Sequence, residues 1–273
     1  MVFFAKDKNK TSFDFLCEHD SFSLVKTWSG KYHLQSFTFQ DFPKKDCDQI
    51  NNPHTVIYAG FESWNHKNKF QLRSDELIKD HSSKKHVLFS GCSQTFGYGI
   101  DDIKNTWSHS VYRELEDCSG YYNISRPGIS IMEILYDVRL YCEEYGIPDS
   151  IFLLLPDYTR EITTYGADYN LITKEENEMI KLVQIKNVLL SLWGFEDFCK
   201  LNGIRLIYST WDWLTAQQLV NSGLNNFFSL YGENLSNTKK WINGLQKDGH
   251  WDIEHHKEFA KLLLEEINDN PWG

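Results

Sequence analysis

The chain has 273 residues, 41% of them hydrophobic and 15% aromatic, which suits one large globular domain or a domain with an extension. A formal charge of −10, with basic runs that stay short, such as Lys6–Lys10 and Ser83–Lys85, argues against a nucleic-acid footprint. No apolar run reaches membrane-spanning length, and the N-terminal MVFFAKDKNK lacks the apolar core of a secretory signal.

The cysteines, Cys17, Cys47, Cys92, Cys118, Cys142 and Cys199, form no CxxC pair and no dense framework. In a chain of this size that spacing suits free thiols in a reducing compartment, so a cytoplasmic location is expected. Residues 1–83 read as an irregular, aromatic-rich N-terminal extension. Its short strand-like pieces lie at Gln35–Phe39 and Thr55–Tyr58, and Asn51-Asn52-Pro53 marks a turn. Phe70-Gln71-Leu72-Arg73-Ser74-Asp75 reads as structural.

From residue 84 to 273 the pattern is regular. A strand is expected at 86–90, a helix near 106–117, a strand at 121–125 and a helix from Ser130 to Tyr145. Gly146 and Pro148 then stop that helix. Ser150–Leu155 is the clearest buried strand. A helical pattern covers about 178–201 and closes at Asn202-Gly203. A strand at 204–209 and a short helix at 214–222 follow it. A long loop is expected over 223–247, and a last helix over about 253–267. Strands alternating with helices of this length predict an α/β fold, in which a parallel sheet lies between two helical layers.

Chemistry belongs at the carboxyl edge of such a sheet. In His86–Gly99, HVLFSGCSQTFGYG, a strand runs directly into a small-residue turn that displays Ser93. A serine hydroxyl is a weak nucleophile. It needs a base within hydrogen-bond reach, itself oriented by a carboxylate. Asp248-Gly249-His250-Trp251, just before the last helix, carries both groups. The bland alternative is that Asp248 and Asp252 cap the last helix and His250 is an ordinary surface histidine.

The order and spacing of these segments resemble those of the SGNH (GDSL-type) esterase and acyltransferase superfamily over residues 84–267. His86–Gly99 is similar to its first block, with Cys92 at the position of the family's aspartate. Asn123-Ile124-Ser125-Arg126-Pro127-Gly128 resembles its second block, and Asp248-Gly249-His250 its last. The two-residue spacing from Asp248 to His250 resembles the polysaccharide O-acetyltransferase branch. The family's asparagine-bearing third block is replaced by Pro156-Asp157-Tyr158-Thr159-Arg160.

The resemblance implies a flavodoxin-like sheet and a Ser93 nucleophile, with His250 as general base and then acid, and Asp248 orienting it. Oxyanion donors would be the Ser93 and Gly128 amides, with Asn123 or Arg160 compensating for the missing asparagine. The implied activity is hydrolysis of an ester, on a carbohydrate or a small molecule. Acyl transfer by a relative, or a non-catalytic binding or virion-associated module of the same fold, are the alternatives.

Other readings stay open beside it. Cys92 could be the nucleophile or a core filler. Asp157 and Arg160 could contact substrate or pair with each other across the loop. Trp251, adjacent to the proposed base, is the one tryptophan singled out as a platform for a sugar ring. Asp248, His250, Asp252, His255 and His256 contain metal-ligating types without a metal-site spacing, so no metal and no cofactor is expected. The expected partner is the ester substrate, with neither nucleic acid nor membrane, and the sequence does not set an oligomeric state.

Overall fold

A computed structural model describes residues 72–81, 84–160, 174–232 and 250–269. The strand-like pieces expected at Gln35–Phe39 and Thr55–Tyr58, residue Asp248 and much of the 223–247 loop lie outside the described residues.

The first strand, β1 (Val87–Gly91), is followed by a one-turn helix, α1 (Ser93–Phe96), and a 3-10 turn at Ile103–Asn105. Then come α2 (Trp107–Glu114), β2 (Tyr122–Asn123), α3 (Ile131–Tyr145) and β3 (Ser150–Leu155). The series ends with α4 (Lys174–Leu201), β4 (Arg205–Thr210), α5 (Trp213–Leu219) and α6 (Ile253–Asp269). All described pairings are parallel, in the order β2-β1-β3-β4. That is the flavodoxin-like order, with its switch point between β1 and β3.

Because side chains alternate across a strand, each strand feeds two cores. Leu88, Ile151, Leu153, Leu155, Leu206 and Tyr208 face one way, onto α3 and α4. Val87, Phe89, Phe152, Leu154 and Ile207 face the other, onto α2 and α6. The three-layer α/β/α architecture expected from the alternation of strands and helices is therefore present.

Local chemistry explains where the elements begin and end. Ser130 caps α3 in a reciprocal capping box with Glu133, and Gly146 ends it at φ +95°. Thr106 caps α2, and Asp212 caps α5 by accepting from the Thr215 amide at 2.7 Å. Two short elements, α1 and the 3-10 turn, were not anticipated; a single turn is too short to carry a hydrophobic period.

Residues 72–81 lie on the N-terminal side of the expected boundary at 83, yet they pack into the domain. Asp75 accepts from the Tyr121 amide at 2.8 Å and donates its own amide to the Tyr121 carbonyl at 2.9 Å. The Ser74 hydroxyl accepts from the Asn123 amide at 3.2 Å, which covers the β2 edge of the sheet.

The four described cysteines, Cys92, Cys118, Cys142 and Cys199, are free thiols. Burial pushes Cys142 and Cys199 up to about 12, so they act as small apolar fillers. Among the described residues no helix is long and apolar enough to cross a membrane.

Candidate active site

The turn after β1 is built by close approach. A Cβ on Gly91 would stand 2.1 Å from Thr95 Oγ1 and 2.6 Å from the Leu154 carbonyl, so only glycine lets α1 fold back against β3. Gly97 ends α1 in the left-handed region, at φ +76°, and its amide returns to the Ser93 carbonyl. The loop beyond is held by a buried arginine. Arg73 Nη1 donates to the carbonyls of Gly97 and Ile100 at 2.8 Å each, and Nη2 to that of Asp101 at 3.0 Å. Burial lowers the Arg73 guanidinium to about 10.

Ser93 opens α1, with its side chain buried at the carboxyl end of β1. Its hydroxyl lies 3.8 Å from Cys92 Sγ. The Cys92 sulfur is fully buried and also receives the Trp211 indole N–H at 3.4 Å. Cys92 is thus packed inward among groups from the β1 and β4 edges, which matches the core-filling alternative.

The C-terminal segment comes to this turn from 157 residues away. The Trp251 amide donates to Gln94 Oε1 at 3.0 Å, and the His250 ring packs on Tyr98 with centroids 4.6 Å apart. Gln94 is the residue after Ser93 and Tyr98 closes the same turn. The segment carrying His250 is therefore tied to the Ser93 turn at two points. Neither Gln94 nor Tyr98 was singled out in the sequence; the signal available was their place within the same small-residue turn.

The two histidines that follow are engaged elsewhere. Asp252 caps α6, accepting from the His255 amide at 3.0 Å and meeting His255 Nδ1 at 2.8 Å. His256 Nδ1 accepts the Trp107 amide at 3.2 Å, and burial, reinforced by nearby Arg73 and His255, lowers His256 to about 3. Asp252 thus takes the capping role of the bland alternative.

Asn123 and Trp251 are placed differently from expectation. The Asn123 amide nitrogen donates to the Thr95 carbonyl at 3.2 Å and to the Tyr121 hydroxyl at 2.9 Å. Its Oδ1 accepts from Ser125. Asn123 therefore braces α1 from below and has no amide hydrogen left for an oxyanion. Trp251 is 1% exposed and packs on Phe259, so its indole offers no face to a sugar ring.

Gly128 stands in the turn after β2, exposed, at φ +81° and with nothing within 4 Å of a built Cβ. The preceding Arg126 amide donates to the Gly91 carbonyl at 3.3 Å, which brings the turn to the end of β1. Arg126 also forms a buried ion pair with Asp137, a carboxyl that burial pushes above its usual range.

Across the sheet, Asp157 and Arg160 pair at 2.9 Å in the loop after β3, and the guanidinium sits 5.3 Å from the Trp211 ring. Burial disfavours the Arg160 charge, but Cys92, Asp157 and Asp212 outweigh it and hold the guanidinium above the ordinary arginine value. The pair is thus an ion pair within the loop, and it stands at the carboxyl edge of the sheet. Trp211 and Asp212, at the end of β4, complete the edge and carried no sequence motif.

No protein-family model matches the chain, and no curated protein matches it. Among solved structures it is similar to the crystal structure of a "putative acylhydrolase" from Bacteroides fragilis. The two are 18% identical, with a TM-score of 0.47, and the match covers 71% of this chain and 91% of that one.

Proposed function

We propose that the protein is a serine esterase of the SGNH type. The reading is carried by one observation: Gln94 Oε1 takes the Trp251 amide, and Tyr98 takes the His250 ring, so the base candidate is tied to the turn that bears Ser93. In this mechanism the Ser93 hydroxyl attacks the ester carbonyl while His250 accepts its proton. Asp248 holds the His250 ring in the tautomer that can accept. The tetrahedral oxyanion is met by the Ser93 and Gly128 amides. With Asn123 engaged in the interior, Arg160 is the side chain left to add positive charge at the carboxyl edge. His250 then protonates the departing alcohol and activates the water that clears the acyl-enzyme.

The substrate in this proposal is an O-acylated carbohydrate or a small ester. Transfer to a sugar hydroxyl instead of water is the same chemistry with a different acceptor, and an acceptor that raises turnover above the hydrolytic rate would select it. A second reading, a non-catalytic module, is supported by Cys92 and the Pro156–Arg160 loop standing where the resembled family carries its aspartate and asparagine, with Asn123 engaged in the interior.

The test is hydrolysis of p-nitrophenyl acetate, together with labelling by a fluorophosphonate probe. Wild-type protein should turn over the ester and take the label, while Ser93→Ala and His250→Ala should lose both with unchanged circular dichroism. Full activity in Ser93→Ala, or no labelling of folded wild type, overturns the reading.

A further inference from the structure

The helix α4 (Lys174–Leu201) has two apolar faces where a helix covering one side of a sheet needs only one. Its inner face, including Ile185, Val188, Leu192 and Phe195, packs into the core. On the opposite side Leu182, Lys186, Leu190, Trp193, Asp197 and Leu201 recur at spacings of three and four, so they line one exposed stripe. The apolar members are far out of the core: Leu190 is 63% exposed, Trp193 40% and Leu201 86%. A tryptophan flanked by leucines along one helix face is an adhesive surface rather than a scattered set of exposed side chains.

The charges on the stripe indicate what covers it. Lys186 and Asp197 make no ion pair with another described residue, and they stand eleven positions apart on the same face. When this helix is laid antiparallel on a second copy of itself with Lys186 opposite Asp197, the other levels follow. Leu190 falls opposite Trp193 and Leu182 opposite Leu201, each pair occurring twice by symmetry. One register therefore matches charge to opposite charge and apolar to apolar at these six positions, as a self-complementary two-fold contact requires. Gly194 lies next to the centre of that register, exposed, with nothing within 4 Å of a built Cβ. Glycine weakens a helix interior, and no contact within the described chain demands it here. At a helix crossing it lets the facing backbone come close.

We propose that the exposed face of α4 is the interface of a homodimer, formed with a second copy of this chain in antiparallel register, Lys186 against Asp197. The surface lies on the helical layer that packs against α3 and β4, so the proposal stands or falls independently of the esterase reading.

The test is sedimentation velocity of the full chain and of Lys186→Glu, Asp197→Lys and the double variant, over about 1 to 100 µM protein. The wild type should form a dimer. Each single reversal should raise its dissociation constant about tenfold or more, and the double variant should recover most of that loss. Because all these positions are exposed, the variants should melt like wild type, and Leu190→Asp should give a folded monomer. A wild type that is monomeric throughout overturns the proposal. So does a dimer indifferent to the single reversals, or a double variant no tighter than the singles. Any of these results would leave the stripe to residues 1–71 or to a different protein.

Discussion

Acidification should unfold this protein early, because it buries two neutral histidines. His86 is 3% exposed before β1, with its ring stacked on His81 at 3.4 Å and Nε2 meeting the Tyr141 hydroxyl at 2.7 Å. Burial first, and the neighbouring His81 second, lower it to about 3. His256 is fully buried and is likewise lowered to about 3. In the unfolded chain both would titrate near 6.5. The folded values are depressed, so their contribution is fully present above pH 6.5 and is lost as pH falls toward 3.

Each histidine then removes about 1.4 kcal/mol per pH unit below 6.5, or about 2 kcal/mol by pH 5 and about 4 kcal/mol for both. That loss is the same for any folded value below about 4, because pH 5 lies above it. Against a total stability of about 5–15 kcal/mol it is large. Raised carboxyls such as Asp137 and Asp212 act in the opposite direction on acidification. The histidine contribution is therefore isolated by comparison with His86→Gln, His256→Gln and the double variant. Urea unfolding at pH 7, 6 and 5 should show the loss roughly halved in each single variant. A double variant with the pH dependence of wild type would refute the reasoning.

Other perturbations probe the site and its support. Gly91→Ala should destabilise by about 3 kcal/mol and lower the proposed esterase turnover, measured by urea midpoint and p-nitrophenyl acetate hydrolysis. Adding Thr95→Ala should recover it only in part, because the Leu154 carbonyl remains 2.6 Å from the new methyl. Gln94→Leu removes the side-chain acceptor of the Trp251 amide and should cost about 1–3 kcal/mol. Its kcat should fall more than its KM rises, with a shifted acidic limb in the pH–rate profile; an unchanged profile would argue against a role in holding His250. Asp137→Leu leaves Arg126 buried without its carboxylate and should cost about 3–5 kcal/mol by chemical denaturation, with the Arg126→Leu/Asp137→Leu double variant recovering most of it.

Much of the architecture is legible in the chain because strands and helices are local patterns. Ser150–Leu155 is a strand over the range its unbroken apolar run specifies, and α3 follows its capping serine and terminal glycine. Regular strand–helix alternation was enough to predict the parallel sheet, since right-handed crossovers leave few other arrangements. The short α1 escaped that reading, as did the packing of residues 72–81 along β2, because neither carries a period. Both are fixed by contacts with distant residues: Thr95 with Asn123, and Asp75 with Tyr121.

Within the candidate site the sequence orders the residue types along the chain, but not the directions of their side chains. Asn123 and Trp251 stood at plausible positions for an oxyanion donor and a sugar platform, and both turn inward. Which way a side chain points depends on strand register and on what packs behind it, and no local spacing records that. The sequence by itself determined the layers, the order of chemical segments and the small residues that allow a tight turn after β1. Only the tertiary structure decided that Gln94 and Tyr98 grip the segment carrying His250, and that Asn123 serves the interior. Those outcomes are long-range contacts, set when the ends of β1, β2, β3 and β4 meet at one edge of the sheet.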